Sequence, residues 1–158
     1  MDPTELPTDY RDLLLALSDA DAEFVLIGGY ALAAHGYVRA TDDLDVLVRP
    51  TSENAQRVFA ALVAFGAPIP EHGVSADLFA QERYGYRMGA KPILIEILTT
   101  IDGVSFDDCL NEHRSFELDG RTIKVIGRGA LLANKRASAR PKDLADIAWL
   151  ERHPPEGD

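Results

Sequence analysis

Residues 24–48 read FVLIGGYALAAHGYVRATDDLDVLV, and the expected fold follows from this stretch. Phe24, Val25, Leu26 and Ile27 make a short apolar run that stops abruptly at Gly28-Gly29. The residues from Tyr30 to His35 are alanine-rich helix formers ahead of Gly36, and the run DLDVLV that starts at Asp43 is a second strand, ended by Pro50. The pattern is strand, tight turn, helix, strand.

Side chains alternate along a strand, so Asp43 and Asp45 share one face while Leu44 and Val46 take the other. Two residues of rise hold the carboxylates about 6 to 7 Å apart, where they repel each other unless a cation lies against them. Oxygen-only donors suit Mg²⁺ or Mn²⁺ rather than zinc. A solvent-facing acidic strand end would give the same triplet. At Gly28-Gly29 the missing Cβ atoms let backbone N–H groups approach a phosphate, although a plain tight turn also uses such a pair. Glu96 lies inside ILIEIL, residues 93–98, which reads as a strand buried on both faces. A carboxylate there must neutralise, pair with a cation such as arginine, or bind a metal.

Outward from this segment, residues 8–20 form an amphipathic helix with Thr8 as its expected N-cap. Thr51 or Ser52 caps a helix that runs to Phe65. APIPEHG, residues 67–73, is too rich in Pro and Gly for regular structure, and 75–81 is a short helical stretch. Strands are expected over 84–88 and 92–98, turning around Gly89-Ala90-Lys91. A helix follows over 105–112, then a hairpin of 116–118 and 121–126 around Asp119-Gly120. Helices over 130–137 and 142–152, with Pro141 suited to the first position of the second, complete the order, and the tail PPEGD should fray. Strands mixed with helices imply an α/β (α+β) arrangement in which a mixed sheet carries helices over it.

The 158 residues fit one domain, 1–158, and the 46% hydrophobic and 27% charged content is that of a globular chain. No apolar stretch approaches the eighteen or so residues that cross a bilayer. The start MDPTELPTDY lacks the order of a signal peptide, and Cys109 is alone, so a cytoplasmic location is expected. A net charge of -10 disfavours sequence-independent binding of nucleic acid over the whole surface. The local exception is the run from 128 to 142, where Arg128, Lys135, Arg136, Arg140 and Lys142 occur without an acid, partly offset by Asp143 and Asp146 just beyond.

These motifs together resemble the nucleotidyltransferase superfamily typified by DNA polymerase beta, especially small bacterial members related to AbiEii-type abortive-infection toxins. The superfamily pattern has a hydrophobic residue and Gly-Gly or Gly-Ser. After ten to thirteen residues come Asp-hydrophobic-Asp/Glu-hydrophobic, and later an acid between hydrophobics. Here the positions read Ile27-Gly28-Gly29, thirteen residues, Asp43-Leu44-Asp45-Val46, and Ile95-Glu96-Ile97. Arg39 and Thr41 ahead of the acidic strand, and KRASARPKDLADIAWL near the end, are similar to the small members as well. Glu96 departs from the more usual aspartate.

The resemblance implies a minimal nucleotidyltransferase fold, a mixed sheet with flanking helices and a C-terminal helical pair over about 127–152. It implies transfer of a nucleoside monophosphate from an NTP to an acceptor hydroxyl, with Mg²⁺ or Mn²⁺ bound by Asp43, Asp45 and Glu96. Glu96 is there either a ligand or the base that takes the acceptor's proton. Gly28, Gly29, Arg39, Thr41 and Lys135 are the expected nucleotide contacts, Arg39 having Asp42 as its alternative partner. The acceptor could be an RNA 3′ end, a protein or a small molecule, and a toxin role would bring an antitoxin partner. A non-catalytic nucleotide-binding or interaction module on the same fold is the alternative. His35 takes no role.

Overall fold

The computed structural model describes residues 5–155; Glu156, Gly157 and Asp158 of the tail expected to fray lie outside the described residues. The elements run α1 (Thr8–Asp19), β1 (Phe24–Ile27), α2 (Gly28–Ala34), β2 (Asp43–Val48), α3 (Ser52–Phe65), α4 (Ile69–His72) and a 3₁₀ turn (Ala76–Ala80). They continue with β3 (Gly85–Ala90), β4 (Ile93–Leu98), α5 (Phe106–Leu110), β5 (Arg114–Leu118), β6 (Arg121–Val125), α6 (Arg128–Ser138) and α7 (Pro141–Arg152).

The strands form one six-stranded sheet in the order β3-β4-β2-β1-β6-β5. It is mixed: β2 runs parallel to β4 and β1 parallel to β6, while the β1–β2, β3–β4 and β5–β6 pairs are antiparallel. Register assigns each residue to a face. Leu44 and Val46 of β2, Ile95 and Ile97 of β4 and Leu26 of β1 lie on one face and are buried. Tyr10, Leu13, Leu14 and Leu17 of α1 are fully buried too, and α1 packs against α3. Burying a Leu or Ile side chain contributes about 1.5 to 3 kcal/mol, so this layer carries much of the stability. The opposite face, with Asp43, Asp45 and Glu96, opens into a cleft whose far wall is α6 and the start of α7.

The mixed sheet with flanking helices is as the sequence predicts, and the details differ at five places. Thr8 is the first residue of α1, and Pro7 takes the cap position without a side-chain bond. Thr51 does cap α3, accepting from the Asn54 N–H. Residues 69–72 form a helical turn, since Pro70 fits the first turn of a helix and Gly73 ends it at φ 65°. Gly28 and Gly29 are the first turn of α2 rather than a separate turn before it. The β3–β4 connection is Lys91-Pro92, with Ala90 opposite Ile93, so Gly89 lies within β3. Finally, β4 is buried on one face only, because Leu94, Glu96 and Leu98 look into the cleft. The Asp119-Gly120 hairpin has both residues at positive φ, 48° and 80°, as a type I′ turn requires.

Candidate active site

Ile27 pairs with Asp45, Asp45 with Glu96, and Glu96 with Arg87. One row of side chains therefore crosses four strands, with two acids at its centre, and Asp43 lies two residues up β2 on the same face. All three acids line a cleft of about 670 Å³.

The glycine pair is packed onto these acids. Gly28 has φ 74°, and a Cβ built there would collide with the Asp45 carboxylate oxygen Oδ2 and lie 3.0 Å from its Cγ. A Cβ on Gly29 would lie 2.8 Å from Thr41 Oγ1. Thr41 Oγ1 in turn donates to Asp43 Oδ1 and to the Asp43 carbonyl, each at 3.2 Å. The start of α2 carries no side-chain cap, so no side chain competes for its first N–H groups. Glycine is required here by close approach and by a left-handed backbone.

The electrostatics are those of crowded carboxylates. Burial, then the charges of Asp43 and Glu96, push Asp45 up to about 7, against smaller opposing effects of Lys142 and Arg87. Tyr10 is raised to about 12 by burial and then by Tyr30, Asp43 and Asp45; its hydroxyl donates to the carbonyls of Asp42 and Pro92. Of the alternatives that the sequence leaves open for Glu96, the structure shows the arginine pair. The Glu96 side chain is 19% exposed, and Oε2 accepts from Arg87 Nε at 3.1 Å. Among the described residues no three His, Cys, Asp or Glu side chains are gathered as a metal-holding group.

Across the cleft, Arg39 pairs with Asp146 at 3.1 Å, not with Asp42. Lys135 Nζ lies 2.9 Å from Asp146 Oδ2 and 3.5 Å from Asp143 Oδ1, with all three side chains buried. Arg140 holds Asp143 through its backbone N–H and its Nε. Burial works to raise Asp143, yet these bonds and Lys135 bring it below the ordinary carboxylate range. Most of the basic run is thus engaged within the chain: Arg136 pairs with Glu151 at the surface and Arg128 donates to the Leu150 carbonyl. Lys142 is exposed and faces the cleft. His35 hydrogen-bonds the Ile126 carbonyl through Nε2, and burial lowers its pKa. Arg87 has no role in the sequence reading, and Asp146 has only that of offsetting the basic run, which its pairing with Lys135 bears out; its pairing with Arg39 is additional. The i,i+3 spacing of Asp143 and Asp146 was the available signal for Asp146, since it places both on one side of a helix.

This mixed sheet with flanking helices is a fold found among nucleotidyltransferases. The chain belongs to the family described as nucleotidyl transferase of unknown function (DUF2204), whose profile matches residues 7–157. A candidate nucleotidyltransferase of solved structure, from Thermotoga maritima, shares the fold with a TM-score of 0.53 at 15% identity; the match covers 90% of this chain and 88% of that one. No curated protein matches the chain. No helix among the described residues is long and apolar enough to cross a membrane.

Proposed function

We propose that the chain moves a nucleoside monophosphate from an NTP to an acceptor hydroxyl, with Mg²⁺ or Mn²⁺ bound at Asp43 and Asp45. The observation that carries this reading is the contact between Gly28 and the Asp45 carboxylate, which brings the anion-cradling turn and the acids to one point of the cleft. The donor set fits a hard cation: it is all oxygen, and the burial and then the carboxylate repulsion that raise Asp45 are what a bound cation would offset. Once bound, the cation supplies charge stabilisation at the phosphates.

The chain's own residues supply the rest. Thr41 orients Asp43. The N–H groups at Gly28 and Gly29 would meet the β and γ phosphates, and Arg39 of the loop before β2 and Lys135 of α6, both held by Asp146, would add positive charge beside the cleft. The acceptor oxygen attacks the α phosphorus, the bond to the bridging oxygen breaks, pyrophosphate leaves, and the acceptor's proton passes to a carboxylate such as Glu96. An RNA 3′ end, a protein hydroxyl or a small molecule could serve as acceptor. A toxin-like role related to the AbiEii group, with an antitoxin partner and a cytoplasmic location, accords with the motif order.

The test is pyrophosphate release and label transfer from radiolabelled NTPs with Mg²⁺ in cell extract. Asp43→Ala and Asp45→Ala should each abolish transfer. Full activity in both variants, or nucleotide binding without turnover in any extract, would reject the reading.

A further inference from the structure

We infer that Arg87 is a positioning residue that holds Glu96 away from the cation, so that the resting protein presents two carboxylates to the metal and reserves the third. This rests on the metal site proposed above. Arg87 is on β3, an edge of the sheet, and its register partner on β4 is Glu96, which is in turn the register partner of Asp45 on β2. Glu96 therefore has a cation on one side and an acid on the other, in one row. Its carboxylate has turned to the cation, with Oε2 accepting from Arg87 Nε at 3.1 Å. The extra methylene of glutamate gives this reach across the strand gap, where opposed Cβ atoms stand about 5 Å apart. Glu96 is 19% exposed, while Arg87 is 70% exposed and can be replaced without disturbing the core.

A metal competing for Glu96 must break this pair. Removing Arg87 should release Glu96 to the metal and tighten binding, the opposite of what losing a ligand does. Mn²⁺ binding to the full chain, followed by electron paramagnetic resonance at fixed pH and salt, tests this without knowing the acceptor. Arg87→Met should tighten Mn²⁺ binding by about threefold, the scale of a partly exposed ion pair. Arg87→Lys should behave as the native protein, and Glu96→Gln should stay within about twofold of it for the same reason. The double variant Arg87→Met/Glu96→Gln should show no tightening. Asp43→Asn and Asp45→Asn should each weaken binding by more than about tenfold, as loss of a carboxylate ligand does. If Glu96→Gln weakens binding as much as Asp43→Asn, or if Arg87→Met leaves it unchanged or weaker, Glu96 is an ordinary ligand and the inference fails. If Mn²⁺ binds but ignores Asp43 and Asp45, the metal site itself is misassigned, and no Mn²⁺ binding at all overturns both.

Discussion

Gly28 and Asp45 constrain each other at the level of single atoms. Alanine at 28 would have to hold φ near 74° and push against the Asp45 carboxylate at once. A left-handed backbone costs a non-glycine residue about 1 to 2 kcal/mol before any collision, so Gly28→Ala should lower stability by at least that in urea denaturation. It should also weaken Mn²⁺ binding. Asp45 gives a signed pH effect. Its folded pKa, about 7, exceeds the ordinary value of 3.8. Between those limits the native state binds more protons than the unfolded chain, so stability of the metal-free protein should fall as pH rises from about 4 to about 7 and then level off. Asp45→Asn should flatten that slope and raise the melting temperature at pH 8; a native-like slope in the variant would assign the titration elsewhere. At this scale the sequence was informative where chemistry depends on near neighbours. Alternation alone predicts that Asp43 and Asp45 share a face. It does not predict the Arg87–Glu96 pair, which depends on the β3–β4 register, or the grip of Asp146 on Arg39, 107 residues away.

Elements were legible where caps and turns carry local signals. The Asp119-Gly120 hairpin and the Thr51 cap are read from a few residues each, and Thr51→Ala should cost about 1 kcal/mol, measurable by thermal melting. Gly89 misled because glycine has two uses. The sequence reads it as a turn, yet it pairs with Leu94 within β3, and glycine is needed there because a Cβ would meet the Ile93 carbonyl at 2.6 Å. The one-sided burial of β4 was hidden for a different reason: Leu94 and Leu98 line a polar cleft, and hydrophobicity alone does not distinguish a cleft wall from a core. The packing of α6 and α7 depends on buried charge. Asp146→Ala would remove the carboxylate that pairs with Arg39 and the nearer of the two that hold Lys135, which keeps Asp143 at 3.5 Å, in a buried setting. Removing one partner of a buried pair costs about 3 to 5 kcal/mol, so this variant should unfold at clearly lower urea while the conservative Asp146→Glu recovers part of the loss. Equal stability in Asp146→Ala would mean that the helical pair is held by its apolar contacts alone.

Over the whole molecule, the acidic balance bears on the proposed cation site. A chain of net charge -10 that gathers three acids in one cleft has more to gain from a divalent cation than from monovalent salt. Mg²⁺ or Mn²⁺ should therefore raise the melting temperature at pH 8 and do little at pH 5, where Asp45 is protonated; an equal rise at both pH values would indicate binding elsewhere. The molecule also contains its own reporter. Trp149, the one tryptophan of the sequence, lies on α7 stacked at 4.6 Å on Tyr37 of the loop that carries Arg39 and Thr41, with His153 at 4.1 Å on another side of the stack. Its intrinsic fluorescence thus comes from the joint between the C-terminal helices and the loop before β2. Nucleotide titrations can be followed by the emission of that indole without attaching a dye, and any opening of the joint should appear as brighter, red-shifted light.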